Sequence, residues 1–537
     1  MSKWRECGLN KLSKAILLLS ILFSTSCTYL KYSAIQSEYS NVHEVAPSKL
    51  NLKHMINQDS YFVWGLPITE NEDDTSTPML IAAYSSEFEE HELVDTMFFT
   101  GVLTHYALNL PEGNYTVLIY ADSNGDQLFD HSEVVAEHEL QLNPSRYPNK
   151  LAEGIDIALT QNTTVEWAKA IPQPERPQLK TSLYYPTGTI RSLDDPLFDK
   201  RVATMGMYDP ASFLELAPTM FFSLGEDVAH KVPVIFVHGI GDSSRSFQPI
   251  INKMDLDRYQ PWFFYYPSGG DLDQLADFFY SIFLSESVVP SMDMPMIVVA
   301  HSMGGLIVRS ALNKSDDREH GNKVKLFVSI ATPFGGHPAA ALGEEHGFIV
   351  LPAWRNLNPN SAFIDQLYSK DLPDYTNHQL FYAYNNDGVV KMGENSDGVV
   401  PLSSQLDIRA QQQSDDQFGF NSSHVSILKN DDMIDLLLKK MDTIENIFPD
   451  SHINLINQGG YKVEISDGYS PVSKHIIGYA GLYLIKLVNG QIEPINPEHA
   501  QFIQIINGEE APTNKVQEDF IRFIQDNPDI VASALMD

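Results

Sequence analysis

The sequence predicts an α/β fold: a mostly parallel sheet with helices on both faces, an N-terminal β-sandwich domain and a small C-terminal α+β extension. From about residue 231, apolar runs of strand length alternate with helix-like segments, the pattern of a parallel sheet covered on both faces. Before residue 165 the apolar runs are short and separated by turn formers, as in a sandwich. A chain of 537 residues also exceeds the size of a single core, so we expect several domains.

The N-terminus resembles an export signal, with basic residues followed by a short apolar run over 15–23. That run is too short to cross about 30 Å of hydrocarbon as a helix. Small residues then precede Cys27, as in the lipobox of bacterial lipoproteins, although Ser24 replaces the usual leucine. The resemblance implies a signal peptide over 1–26, lipid on Cys27 and a polar tether over 27–45. A plain cleavable signal and an uncleaved anchor remain alternatives.

The pattern of apolar and turn-forming residues divides the rest of the chain into four further regions. Residues 46–165 form the predicted Ig-like β-sandwich, and the proline-rich segment 166–230 is a connector followed by strand-like pieces. Residues 231–447 hold the alternating strands and helices. A cap is expected around 335–378, and it either lines a binding site or packs against the sheet region without moving. The tail 448–537 carries a strand-like run over 479–488 and a helix-like run over 516–525, which together suggest the α+β extension.

Ser302 is the strongest candidate for a reactive residue. An apolar strand over 296–300 runs into Ala-His-Ser-Met-Gly-Gly, and a helical apolar pattern follows. This is the strand–turn–helix setting of a nucleophile elbow, in which small residues two places before and after the serine let strand and helix close. Ala300 stands where the first glycine of the pattern is usual. We therefore predict Ser302 as a nucleophile.

A serine hydroxyl needs a base, and the base needs an orienting acid. His424, in Ser-Ser-His-Val, precedes a C-terminal helix pattern and is the predicted base. Asp397, in Asp-Gly-Val-Val-Pro, is the predicted acid. Asp387 is its rival, because the same Asp-Gly-Val-Val tetrad occurs there. We favour Asp397 because a proline and a serine pair complete its pattern.

Two backbone N–H groups are expected to stabilise an oxyanion. The Met303 N–H follows the nucleophile directly. The second donor is expected from the loop after the first strong strand, His-Gly-Ile-Gly-Asp over 238–242, where we predict the Ile240 N–H.

These motifs, together with Ala-Thr-Pro-Phe-Gly-Gly over 331–336, resemble the α/β-hydrolase lipases and esterases, including their GPI-inositol-deacylase-like branch. The resemblance covers roughly 231–440. It implies an α/β-hydrolase fold and hydrolysis of carboxylic esters, often lipidic, with no cofactor required. Acyl transfer by the same triad is an alternative, and so is a non-catalytic adhesion or scaffold lipoprotein.

A second candidate site lies in the predicted sandwich. The loop 122–133 places side-chain oxygens at the spacing of a calcium loop. Its candidate ligands are Asp122, Asn124, Asp126, Asp130 and Glu133. The glycine is displaced from its EF-hand position and a strand precedes the loop, so a solvated acidic hairpin is the alternative. Calcium here is an expected structural ion.

The net charge and the N-terminal sequence indicate which kinds of partner the protein binds. The formal net charge of −34 disfavours binding to nucleic acid. We expect an ester or lipid substrate and a membrane contact through the N-terminal lipid. Thr28 follows Cys27 where an aspartate would signal retention in the inner membrane, so we expect an outer-membrane lipoprotein on the periplasmic or surface face, or else a secreted protein.

Overall fold

The computed structural model describes most of the chain beyond the N-terminus. The described residues are 60–69, 77–86, 91–101, 105–148, 150–160, 165–173, 189–208, 210–228, 230–285, 294–315, 323–346, 350–385, 395–466 and 468–534. The signal peptide, the tether and Cys27 lie outside these residues, as does Asp387.

A seven-stranded sheet forms the centre of the molecule, in the order β12-β14-β13-β15-β16-β17-β18. Its strands are β12 Phe221–Ser223, β13 Val232–Val237, β14 Tyr259–Phe264, β15 Met296–His301, β16 Val324–Ile330, β17 Asn377–Ala383 and β18 Asp416–Phe420. All neighbouring pairs are parallel except β12 and β14, which are antiparallel. β13 to β16 are almost entirely buried, as continuous apolar runs in a two-sided sheet require.

Helices connect and flank these strands. They are α1 Lys200–Tyr208, α2 Pro210–Leu216, α3 Gln248–Ile251, α4 Leu272–Phe279, α5 Met303–Lys314, α6 Pro338–His346, α7 Pro352–Leu357, α8 Ala362–Gln366, α9 Leu402–Gln405, α10 Ile408–Gln412 and α11 Asp431–Met441. A π-helical turn, Tyr280–Leu284, extends α4, and short 3₁₀ turns lie at Pro196–Phe198, Ser244–Phe247 and Ser426–Lys429. The sheet with its crossing helices confirms the α/β-hydrolase fold.

The N-terminal region is built from two sheets and short strand pairs. Its strands are β1 Ser60–Gly65, β2 Pro67–Ile68, β3 Pro78–Ser85, β4 Glu92–Thr100, β5 Tyr106–Pro111, β6 Gly113–Ala121, β7 Leu128–Phe129, β8 Val134–Leu142, β9 Leu151–Ala152, β10 Ile157–Ala158 and β11 Ile171–Pro172, with a 3₁₀ turn at His131–Glu133. One sheet has the order β4-β3-β6-β8 and the other β5-β1-β9.

Both faces of β3 are buried, in two different cores. Met79, Ile81 and Ala83 pack with the β5-β1-β9 sheet, while Leu80 and Tyr84 pack with residues that include Val165 and Ile171. The alternation follows from the two-residue period of a strand. The chain just beyond 165 therefore covers the outer face of the four-stranded sheet.

The two regions share one hydrophobic core. A single cluster of buried side chains runs from the N-terminal sheets into the central sheet. At their boundary the rings of Phe62 and Phe278 meet edge to face, with centroids 6.5 Å apart. The side-chain amide of Asn109 donates to the Pro218 carbonyl at 2.8 Å. The N-terminal sheets are thus packed over apolar surface onto the region that contains the central sheet.

The segment 166–230 is more than a connector. It contains α1 and α2, and β12 within it forms the edge of the central sheet by pairing with β14. The sheet therefore begins before the predicted boundary at 231. The short apolar run 221–223 gave too few residues for a strand to be assigned to the sheet.

The prediction of a strand over 479–488 is wrong. This run lies within a long helix, and the described residues from 448 onward contain helices and no strand. These are α12 Asp450–Asn457, α13 Pro471–Val488, α14 Pro497–Ile506, α15 Lys515–Asp526 and α16 Pro528–Ala534. A capping Ser470, whose side chain accepts from the Ser473 N–H, and Pro471 at the first turn start α13. Those start signals lie upstream of the apolar run from which the strand was inferred.

Among the described helices, none has the length and hydropathy of a transmembrane span.

Candidate active site

Ser302 lies on the tight turn between β15 and α5. Its φ of 56° and ψ of −129° are unfavourable for a residue with a side chain, so the surrounding structure must hold them. A Cβ on Gly304 would lie 2.5 Å from the Val237 carbonyl oxygen, and one on Gly305 would lie 2.0 Å from Thr332 Oγ1. Both positions therefore require glycine, whereas Ala300 is accommodated within the core.

His424 and Asp397 meet Ser302 at this turn. Nε2 of His424 lies 2.8 Å from Ser302 Oγ, and Nδ1 lies 2.6 Å from Asp397 Oδ2. The backbone N–H of His424 also donates to the Asp397 carbonyl at 3.0 Å. All three side chains are buried, with 5% of Ser302, 1% of Asp397 and 6% of His424 exposed. The structure thus brings together the serine, histidine and aspartate predicted from the sequence.

Donors surround the Asp397 carboxylate. Oδ1 accepts from the N–H groups of Val399 and Val400, at 2.9 and 2.7 Å. Oδ2 accepts from the Gln405 side-chain amide at 3.1 Å, in addition to His424. These hydrogen bonds fix the position of the carboxylate opposite His424.

The loop after β13 passes directly beside Ser302. A Cβ on Gly239 would lie 2.8 Å from the Ser302 Cβ, so the backbone of this loop approaches the serine as closely as glycine allows. Ile240 follows and is half-buried. The loop is fixed at Gly241, whose N–H donates to Ser268 Oγ at 2.9 Å and whose carbonyl accepts from Lys200 Nζ at 2.8 Å.

Met303 is the first residue of α5. The first N–H groups of a helix have no intrahelical acceptor, and they point toward the helix start, here toward Ser302. The two predicted oxyanion donors therefore lie on segments that flank the serine.

His238 is a structural histidine. Its Nδ1–H donates to the Gly239 carbonyl at 2.8 Å, and its Nε2 accepts from the Tyr266 N–H at 3.4 Å. The ring stacks on Tyr266 with centroids 4.3 Å apart. Complete burial lowers the pKa of His238 to about 4, so the ring is neutral at neutral pH. It holds the loop that carries Ile240.

Two further side chains touch the triad, and sequence reasoning missed both. His301 donates from Nε2 to the His424 carbonyl at 2.9 Å, and burial lowers its pKa to about 4. Gln405 contacts Asp397 as described above. Neither belongs to the triad pattern, although His301 directly precedes the nucleophile and Gln405 follows the Ser-Ser pair after Pro401. Only their position in the fold reveals the contacts.

The predicted cap region holds α6, α7 and α8, and its first residues are bound to the loop of Asp397. The Gly335 N–H donates to the Ser404 carbonyl at 3.0 Å, and Ser404 Oγ donates to the Gly336 carbonyl. His337 Nε2 donates to the Val399 carbonyl at 2.8 Å. Burial lowers the pKa of His337, which keeps this ring neutral as well. Leu342 on α6 is 60% exposed.

The candidate calcium loop gathers part of its predicted ligand set. Ligand atoms of Asp122, Asp126 and Glu133 lie within 4.8 Å of one another. Asn124 donates from its amide to Asp126 Oδ2 at 3.1 Å, so it joins the same turn. Asp130 does not join the group: it caps the 3₁₀ turn and accepts from the Ser132 N–H at 2.7 Å. The predicted ligand Asp130 thus lies outside this group in the structure.

The Glu133 carboxylate is the buried member of this group, with 5% of the residue exposed. Burial raises the pKa of Glu133, and the nearby Asp122 charge adds to that rise, while N–H donors oppose it. Close carboxylates with one of them buried form a set that suits a hard divalent cation.

The position of Ser302 at the carboxyl end of β15, with its partners on loops beyond β17 and β18, is that of the reactive serine in an α/β-hydrolase. Residues 272–361 match the model of the lecithin:cholesterol acyltransferase family. These residues include Ser302, Met303 and the start of the cap, and they make up less than half of the chain. No curated protein matches the chain.

Several solved structures are similar at low sequence identity. The Bacillus licheniformis lipase BlEst2 in mature form is 20% identical, with 42% of this chain and 98% of that chain covered and a TM-score of 0.31. Aspergillus fumigatus lipase B is 15% identical, covering 40% and 54%, with a TM-score of 0.30. Phospholipase PlaB from Legionella pneumophila is 18% identical, covering 33% and 46%, with a TM-score of 0.28.

Proposed function

We propose that this chain is a serine hydrolase that cleaves carboxylic esters, with lipids as the substrate class, through an acyl-enzyme on Ser302. The observation that supports this most strongly is the unbroken hydrogen-bond chain from Ser302 Oγ through His424 to Asp397. A serine in this setting can lose its proton to the imidazole as it attacks. The match to the lecithin:cholesterol acyltransferase family favours a lipid ester.

In the proposed reaction His424 takes the proton of Ser302 while Oγ attacks the ester carbonyl carbon. The N–H groups of Met303 and Ile240 donate to the resulting oxyanion. His424 then gives its proton to the leaving alcohol, and the acyl group stays on Ser302. Water, deprotonated by His424, releases the acid in the second half. Asp397 orients the imidazole and stabilises its charged form throughout. These steps require no cofactor.

Covalent labelling tests the proposal most directly. A fluorophosphonate probe should label the wild-type protein, and Ser302→Ala should abolish the labelling. Ser403→Ala is the matched control, because Ser403 is an exposed serine on α9 and should leave labelling intact. Absence of Ser302-dependent labelling in folded protein would contradict the enzyme hypothesis and favour the non-catalytic scaffold. Turnover of synthetic esters of increasing acyl length then separates lipase from short-chain esterase.

Transfer of the acyl group to an alcohol other than water is the second candidate, because the matched family is named for an acyltransferase. Incubation with a phospholipid and a long-chain or sterol alcohol distinguishes the two. Free fatty acid as the main product supports hydrolysis. A new ester that accumulates at the expense of free acid supports transfer and would correct our proposal.

We further propose that lipid on Cys27 anchors the protein to the outer membrane. The run of small residues before Cys27 supports this proposal. Cys27→Ser should move the protein from the membrane fraction to the soluble fraction and prevent incorporation of labelled palmitate. Unchanged fractionation and no palmitate in the wild type would instead favour a secreted protein or an uncleaved anchor.

A further inference from the structure

We propose that Gln405 is a positioning residue for Asp397, fixing the carboxylate that orients His424; this rests on the proposed function. Gln405 is the last residue of α9 and is 1% exposed. Its amide nitrogen lies 3.1 Å from Asp397 Oδ2, the oxygen that also faces His424. Gln405 therefore acts on the base through the acid.

The orientation of the Gln405 amide is set by the end of β17. Its oxygen accepts from the Ala383 N–H at 3.0 Å, and its nitrogen donates to the Ala383 carbonyl at 3.1 Å. A flipped amide would turn its N–H groups toward the Ala383 N–H and its oxygen toward the Asp397 carboxylate. Both contacts would be repulsive. Only one orientation fits, and it presents a donor to Asp397.

Gln405 thereby links the Asp397 loop to the central sheet. Ala383 is the last residue of β17 and pairs with Phe420 of β18, so it belongs to rigid structure. The Gln405 nitrogen also lies 3.2 Å from the Val400 carbonyl, within the turn that binds the other Asp397 oxygen. A buried side chain that reaches across two elements in this way holds the turn at a fixed distance from the strand.

The donor is neutral, and this has a chemical consequence. A lysine or arginine at this place would neutralise Asp397 and weaken its effect on the imidazolium of His424. An amide fixes the geometry and leaves the negative charge in place. The other titratable groups around the pair, His301 and His337, are held neutral by burial, so they do not offset that charge.

Gln405→Glu tests the role, because it keeps the shape and replaces the donor with a carboxyl group. A second negative charge beside Asp397 holds a proton more tightly on the His424–Asp397 pair. The acidic limb of the kcat/KM profile against pH should move up by about one unit, with about tenfold lower kcat/KM at pH 6. Gln412→Glu is the matched control, since Gln412 is exposed on α10, and its profile should overlay that of the wild type.

Gln405→Met covers the case in which the glutamate variant fails to fold. It keeps most of the volume and removes the donor, so kcat should fall by about tenfold while KM stays unchanged. A folded Gln405→Met with the wild-type kcat would overturn the role of Gln405 alone. A wild-type protein without Ser302-dependent turnover would overturn the proposed function, and this role with it.

Discussion

Replacing one carboxylate oxygen by NH₂ tests whether Asp397 or Asp387 is the acid that orients His424. In Asp397→Asn the oxygen can still accept from Val399 and Val400, which places the new NH₂ group opposite His424 Nδ1. The imidazole must then accept on Nδ1 and carry its proton on Nε2, where it cannot take a proton from Ser302. We expect kcat to fall by about 10⁴-fold, measured by steady-state hydrolysis of a synthetic ester.

Asp387→Asn is the control for this change, because it alters the same residue type in the same tetrad. It should leave turnover near the wild-type value. The assignment of the acid is wrong if Asp387→Asn abolishes turnover while Asp397→Asn remains active.

At the residue level, the sequence predicts those site residues that belong to a local sequence motif. Ser302 stands in an elbow whose glycines are required by contacts below 3 Å. His424 and Asp397 follow in the expected order. Gln405 and His301 could not be predicted in their roles. Gln405 is oriented by the end of β17, 22 residues away in sequence, and His301 contacts His424, 123 residues away. Nothing in the local pattern around Gln405 indicates that contact.

At the scale of elements, a predicted strand or helix agrees with the structure where turn residues clearly mark the ends of its apolar run. The buried parallel strands are short apolar runs that end at turn residues, so β13 and β15 fall where the pattern predicts. The run 479–488 is apolar except for Lys486 and has no clear period that separates strand from helix. The start of its helix lies at Ser470, in a segment that the strand interpretation left out.

The loop 122–133 supplies a prediction of metal dependence. We propose that Ca²⁺ bound by Asp122, Asp126 and Glu133 relieves the repulsion between these carboxylates, since Glu133 is buried beside a like charge. Addition of millimolar Ca²⁺ to chelator-treated full-length protein should raise Tm by several degrees, about what a few kcal/mol of binding energy gives. Differential scanning calorimetry measures the shift.

Glu133→Gln should abolish this calcium-dependent shift. Glu137→Gln is its control, because Glu137 is an exposed glutamate on the following strand, β8, and should retain the shift. An equal Tm with and without Ca²⁺ in the wild type would show that the loop is a solvated acidic hairpin.

For the whole molecule, buried histidines contribute to how stability depends on pH. Burial lowers the pKa of His238 and of His301 from 6.5 to about 4, and that of His378 to about 3. Below pH 6.5 each of these three histidines therefore binds a proton more readily in the unfolded chain than in the folded one. The stabilisation is complete above pH 6.5 and is lost as the pH falls toward 4, by up to about 1.4 kcal/mol per pH unit for each histidine.

Denaturant unfolding at pH 7.5, 6 and 5 measures this slope. His378→Gln should reduce it, because the His378 ring hydrogen-bonds to Ser329 Oγ and stacks on Phe327, away from Ser302 and His424. His131→Gln, at an exposed position, should leave the slope unchanged. A wild-type stability that is constant between pH 7.5 and 5 would contradict the prediction.

The core shared by the N-terminal sheets and the central sheet limits how far this protein can be dissected. Phe62 and Phe278 lie on opposite sides of the boundary, and the apolar cluster continues through both. The central sheet expressed without the N-terminal sheets would display that apolar surface to solvent, and exposed patches of this kind promote aggregation. The N-terminal sheets are therefore unsuited to transplantation as a module. The same cluster reaches Ile492 in the C-terminal helical region, so truncation for crystallisation or screening should keep residues 60 to 492 together.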